Sequence, residues 1–160
     1  MQPSKSEISK IVLGRGYCLG ECPFESIEID STLSFKYFGG MYADQKGYYF
    51  GEIAQSDWDS LNVKINRIDL NKLDSVYCKT YDDQEVEFVI YKDGKRKYVI
   101  GQTDSLPLKL KDLLDLLHRI INKVDLKPSK DSLNFETQIQ YQYLRRYDGP
   151  KFLPKGYKSQ

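Results

Sequence analysis

Cys18 and Cys22, in the run Cys18-Leu19-Gly20-Glu21-Cys22-Pro23, are the side chains whose type and spacing best suit chemistry. Three readings of the pair compete. A local disulfide requires the turn to bring the two Cα atoms to about 5.5 Å. A reactive dithiol requires a thiolate stabilised by a cation or a helix N-terminus. In the third reading the two cysteines are reduced and simply pack, which a reducing compartment favours. For the dithiol the surroundings are poor: Arg15 is the nearby cation, Glu21 and Glu25 oppose a thiolate, and a strand is expected after Pro23. Gly20 serves the turn itself, because it adopts backbone angles that other residues avoid.

Other constellations fall away sooner. A tetrahedral zinc site would have to draw on Cys18, Cys22, Cys78 and His118. Cys78 falls on an expected strand and His118 inside an expected helix, with no second ligand near either, so no metal and no cofactor is assigned. A Ser-His-Asp mechanism has only that helical His118 to use. Gly14-Arg15-Gly16 followed by Gly20 lacks the Gly-x-Gly-x-x-Gly spacing and leads into no helix that could hold a phosphate. Asp82, Asp83, Glu85 and Glu87 read as a solvated strand face, and nothing marks one of them as an acid or base. No catalytic residue is assigned.

The elements that must position the cysteine turn are mostly strands. Residues 8–13 read as a strand, and residues 24–30 alternate with Ile27 and Ile29 on one face and Glu28 and Asp30 on the other. Residues 33–37 alternate likewise, Gly39-Gly40 interrupts, and residues 47–53 form a Tyr- and Phe-rich strand. The period then changes. Ser56 is the expected N-cap of a helix carrying Trp58, Leu61, Ile65 and Ile68 on one face and ending near residues 69–71. A short strand is expected at residues 75–81. Val86, Phe88 and Ile90 then lead through Asp93-Gly94 into a returning strand at 97–100, the signature of a type I′ hairpin. Pro107 opens a second helix with Leu110, Leu113, Leu114, Leu117, Ile120, Ile121 and Val124 on one stripe, stopped by Lys127-Pro128. In residues 131–147, alternation of Leu133, Phe135, Ile139, Tyr141 and Tyr143 favours a strand. Phe135, Ile139, Tyr143 and Tyr147 also fit a helix at spacing four.

This order predicts an α+β fold: an antiparallel sheet of about six or seven strands with two helices on one face. The expected domain spans residues 8–126, with residues 127–160 a C-terminal extension ending in a flexible basic tail. A chain of 160 residues suits one domain, and 40% hydrophobic against 29% charged residues excludes general disorder. Thirteen Tyr and seven Phe against one Trp fit a β-rich domain, or a tyrosine-lined binding face. Seven Lys/Arg against three Asp/Glu in residues 127–160 make a mildly basic tail on a body of charge −3. That is no dense basic stripe, so nucleic acid is not an expected partner. No apolar run is long enough to span a membrane. The first residues carry no signal-peptide core, so a cytoplasmic chain is expected if it is complete, and a periplasmic or lipid-anchored one if a signal was trimmed.

At residues 15–30 the chain resembles an uncharacterised family, domain-of-unknown-function family 6438. Its members share a Cys-Phe-Gly-x-Cys-Pro-x-Tyr type of turn ahead of an alternating strand. The matching stretch here is Cys18-Leu19-Gly20-Glu21-Cys22-Pro23-Phe24-Glu25, followed by Ser26-Ile27-Glu28-Ile29. Leu19 replaces the usual aromatic and Glu25 the usual Tyr. The later order of Gly-rich strand, helix, hairpin and helix is also similar, extending the resemblance over about residues 8–125. The family implies no reaction. Many relatives look exported or lipid-anchored, which would make a Cys18–Cys22 disulfide natural. The functional expectation is a non-enzymatic domain that binds another protein, an inhibitor or immunity-type protein among the options. The alternative is a thiol–disulfide protein using Cys18 and Cys22.

Overall fold

The structure, a computed structural model, describes residues 6–78 and 83–143. Alternating side chains build one sheet from β1 (Ile8–Arg15), β2 (Glu25–Asp30), β3 (Ser34–Gly39), β4 (Gly47–Glu52), β5 (Val76–Tyr77), β6 (Glu85–Lys92), β7 (Lys95–Gln102) and β8 (Lys127–Pro128). The strand order is β5-β7-β6-β1-β2-β3-β4-β8. The α+β class is as expected, but the sheet has eight strands and is not wholly antiparallel, because β5 runs parallel to β7. After the first helix the chain enters outside the β6–β7 hairpin and travels with β7. The close approach falls at Gly101, where a Cβ would lie 2.6 Å from the Tyr77 carbonyl oxygen. Residues 79–81 of the expected strand lie outside the described residues. β8 supplies only a two-residue edge, a place that tolerates Pro128.

The β6–β7 hairpin follows its turn chemistry. Asp93 and Gly94 have φ of 51° and 74°, the two positive values that a type I′ turn needs.

One face of the sheet is covered by α1 (Gln55–Asn66) and α2 (Leu108–Lys123). α1 starts two residues earlier than expected: Ala54 is the N-cap, with no side-chain cap, and Ser56 lies inside the first turn. It also ends earlier, at Asn66, and a separate 3-10 turn follows at Leu70–Lys72. α2 ends at Lys123, short of the Lys127-Pro128 stop, which is drawn into β8 instead. Leu110, Leu113, Leu114, Leu116, Leu117 and Ile120 of α2 are buried against Ile11, Leu13, Ile27, Ile29, Phe88 and Ile90. At roughly 2 kcal/mol of transfer free energy per buried side chain, this helix anchors the larger core.

The opposite face departs most from expectation. A smaller cluster joins Val12, Phe24, Phe38 and Val89 of the sheet to Phe135, Ile139 and Tyr143. The last two sit on a third helix, α3 (Gln138–Tyr143), where a strand was favoured. Phe135, Ile139 and Tyr143 of the spacing-four set are buried, while the polar residues between do not form one face of a ladder. Helices therefore lie on both faces of the sheet, not one. Three glycines make room for this segment. A Cβ on Gly14 would meet the Thr137 side chain at 3.1 Å, one on Gly16 would meet Ile139 at 2.9 Å, and one on Gly40 would meet the Tyr143 ring at 2.7 Å. Residues 144–147, and the expected basic tail beyond them, lie outside the described residues.

Candidate functional site

β1 and β2 are joined by the cysteine loop, and the loop is closed covalently. Cys18 and Cys22 form a disulfide, with Cα atoms 5.9 Å apart. Of the three readings of the pair, the bonded one is therefore the state observed. Gly20 sits at the loop's exposed tip, and its N–H points to Cys18 Sγ at 3.3 Å. Pro23 closes the loop, and Phe24 then pairs with the 40–41 stretch, its N–H donating to the Met41 carbonyl.

A residue that the sequence did not single out holds the base of this loop. Gln84 is buried, and its amide nitrogen donates to the carbonyls of Gly16 (3.2 Å) and Pro23 (2.9 Å), one on each flank. Its amide oxygen accepts from Arg15 Nε and Nη2 at 3.2 and 3.1 Å. Arg15 also pairs with Glu25 at 3.1 Å, both side chains being largely buried. The guanidinium is thus committed to Gln84 and Glu25, not to the sulfurs, so it is not the cation that a thiolate would need.

Beside the disulfide lies a cavity of about 300 Å³, lined by Tyr17, Cys18, Val76, Cys78, Asp83, Glu85, Ile100, Gly101 and Gln102. Backbone pairing fixes its floor. The Glu85 N–H donates to the Tyr17 carbonyl, Glu85 stands opposite Gln102, and Cys78 Sγ donates to Gln102 Oε1 at 3.5 Å. Tyr17, Glu85, Gln102 and Cys78 therefore form a row across the sheet. With neighbouring strands about 4.8 Å apart, three such steps separate Cys78 from the disulfide flank by roughly 14 Å of backbone. Cys78 is exposed and carries no disulfide. Larger clefts lie elsewhere, one of about 570 Å³ beside Phe50 and Asp125 and one of about 550 Å³ beside Asn66 and Lys95, but mostly polar side chains line both.

The two β6 carboxylates are not the solvated face that their alternation suggested. Glu87 is fully buried, and its carboxylate accepts from the Gln138 and Ile139 N–H groups at 3.0 and 2.9 Å and from the Tyr98 hydroxyl. It meets the first turn of α3 with an anion, where a helix presents unpaired N–H groups. Glu85 points to the same face two residues away and is half-buried. Burial, followed by the nearby Glu87 charge, raises its pKa above the ordinary carboxylate value. Among the described residues it has no ion-pair partner. Asp83, in contrast, is occupied: its carboxylate accepts from the N–H groups of Gln84 and Asp104.

The zinc candidates do not converge. Among the described residues no group of three or more His, Cys, Asp or Glu is arranged to hold a metal ion. Cys18 and Cys22 are bonded to each other, Cys78 lies just past β5 at the far edge of the sheet, and His118 belongs to α2 on the opposite face. Burial lowers the His118 pKa, and Arg15 lowers it further. Its Nε2 is buried without a hydrogen-bond partner. Among the described residues no helix is long and apolar enough to cross a membrane.

The sequence matches a family described as Domain of unknown function (DUF6438) over residues 9–121, and the chain belongs to that family. No curated protein matches it.

Proposed function

We propose that this member of the family is a binding domain that meets another protein at the cavity beside the Cys18–Cys22 disulfide. One observation carries the reading: large apolar side chains are left in solvent around that cavity. Tyr17 is 49% exposed, Val76 62%, and Leu19, at the tip of the disulfide loop, 73%. Scattered apolar exposure needs no explanation, but two such side chains lining one concavity, with a third on the adjoining loop, are what a contact surface requires. The disulfide and Gln84 hold the loop in place, so a partner would meet a preformed surface and less ordering entropy would be lost on binding.

Affinity capture with the intact chain tests this, run beside a Tyr17→Ser/Val76→Ser double variant. Both positions are exposed, so the variant keeps the fold. The expected outcome is a partner retained by the wild type and lost by the variant. If every captured protein is retained equally by both, the reading fails.

A second reading, thiol–disulfide exchange, is favoured by Cys78 lining the same cavity as Cys18. A partner thiolate would attack one sulfur of the Cys18–Cys22 bond, form a mixed disulfide and release the other sulfur as a thiolate. The same capture separates the two readings, because a mixed disulfide is a covalent complex that a reductant dissolves. The carboxylates around the cavity, and an Arg15 held elsewhere, make it the less favoured chemistry.

A further inference from the structure

We infer that the cavity beside the disulfide is a pocket for a single cationic side chain, an arginine or lysine presented by the partner protein. The inference rests on the binding reading above and names what that surface recognises.

Two features of the cavity meet at one position. Its walls include Tyr17, Val76 and Ile100, apolar groups that suit the methylene stem of a long basic side chain. Among the described residues its lining holds two carboxylates, Asp83 and Glu85, and no Lys or Arg. Asp83 is already bonded to two backbone N–H groups, which leaves Glu85 as the acceptor in reach of a ligand. Glu85 stands between Tyr17 and Gln102 in the row that runs to Cys78, among the groups that line the cavity.

Among the described residues no Lys or Arg forms an ion pair with Glu85. Glu87, two residues along the same strand and on the same face, is a buried carboxylate held by three neutral donors. Arg15 is engaged on Glu25 and Gln84, and Arg96 on Glu136. A cation entering the cavity would meet the field of two carboxylates in a half-buried setting, where screening is weaker than at an open surface. It would also relieve the penalty that burial and Glu87 impose on the charged form of Glu85. An anionic or neutral side chain gains neither effect. The same surface therefore rejects acidic partners as well as attracting basic ones.

The test uses two capped tripeptides, Ac-Leu-Arg-Leu-NH2 and its citrulline counterpart, which keeps the shape and loses the charge. Each is titrated into the intact chain while the amide resonances of Gly101 and Gln102 are followed. The arginine peptide is expected to bind at least about fivefold more tightly than the citrulline peptide, and Glu85→Gln is expected to abolish that advantage. Equal binding of the two peptides, or an advantage that survives Glu85→Gln, overturns the inference. Glu85→Gln is safe for the fold. A carboxyl with a raised pKa is best tolerated neutral, its stability contribution being lost as pH rises through the folded value, so the amide removes a cost at neutral pH. If both peptides bind equally at these amides, the surface still binds and only the cation preference is lost. If neither binds while a partner is still captured and lost on Tyr17→Ser/Val76→Ser, the cation pocket falls and the broader reading stands.

Discussion

Gln84 shows how much one polar side chain can organise. With two donors and one acceptor it joins Gly16, Pro23 and Arg15, so both flanks of the disulfide loop and its neighbouring ion pair depend on it. Gln84→Ala leaves two loop carbonyls and a largely buried guanidinium short of partners, and should destabilise the protein by about 2 kcal/mol in urea unfolding. A larger effect is expected locally. The loop opens more often, and dithiothreitol should reduce Cys18–Cys22 roughly threefold faster or more than in the wild type. An unchanged reduction rate would mean that the loop does not rely on this clasp. Residues of this kind were illegible in the sequence. A glutamine directly before a strand that opens on a glutamate looks like any solvated polar residue, and only the approach of the Gly16 and Pro23 carbonyls gives it a task. Cys18 and Cys22 were legible because sulfur at that spacing has few uses. Which use applied depended on the geometry of the turn.

At the scale of elements, what could be read was whatever local chemistry decides. The hairpin was legible because Asp93-Gly94 forms its turn without help from the rest of the chain. α2 was legible because its apolar stripe has one period over sixteen residues. The parallel pairing of β5 and the helical state of α3 were not, since both are set by distant partners. β5 runs parallel to β7 where Gly101 admits it, and α3 forms where Glu87, some fifty residues earlier, accepts its first N–H groups. Glu136, just before α3, adds a second tie, accepting from Lys10 Nζ, the Tyr91 hydroxyl and Arg96 Nε. The glycine slots make this docking testable. In Gly40→Ala the new methyl would overlap the Tyr143 ring, a rigid neighbour, and should cost about 1–3 kcal/mol. In a Tyr143→Ala background the same change should cost under about 0.5 kcal/mol, because the obstacle is gone. Equal costs in both backgrounds would show that the close approach is not what matters.

For the whole molecule, the sheet has two covers of unequal origin. α1 and α2 lie almost entirely within the stretch that the family shares, residues 9–121, whereas the segment carrying Phe135, Ile139 and Tyr143 lies beyond it. A chain ended at residue 130 would keep the larger core and bare Val12, Phe24, Phe38 and Val89. Its stability should fall by on the order of 4 kcal/mol, three buried side chains less the ordering of their backbone, with new binding of a hydrophobic dye. A truncated chain that unfolds at the wild-type urea midpoint would show the second face to be self-sufficient. Gly14, Gly16 and Gly40 sit inside the shared stretch, yet the room they leave is filled from outside it. The common part of the chain thus carries the imprint of a part it does not contain. A relative with a bulky side chain at any of these three positions must close its second face by another route. One that keeps all three should own a segment able to fill them, so the glycines and the segment are gained and lost together.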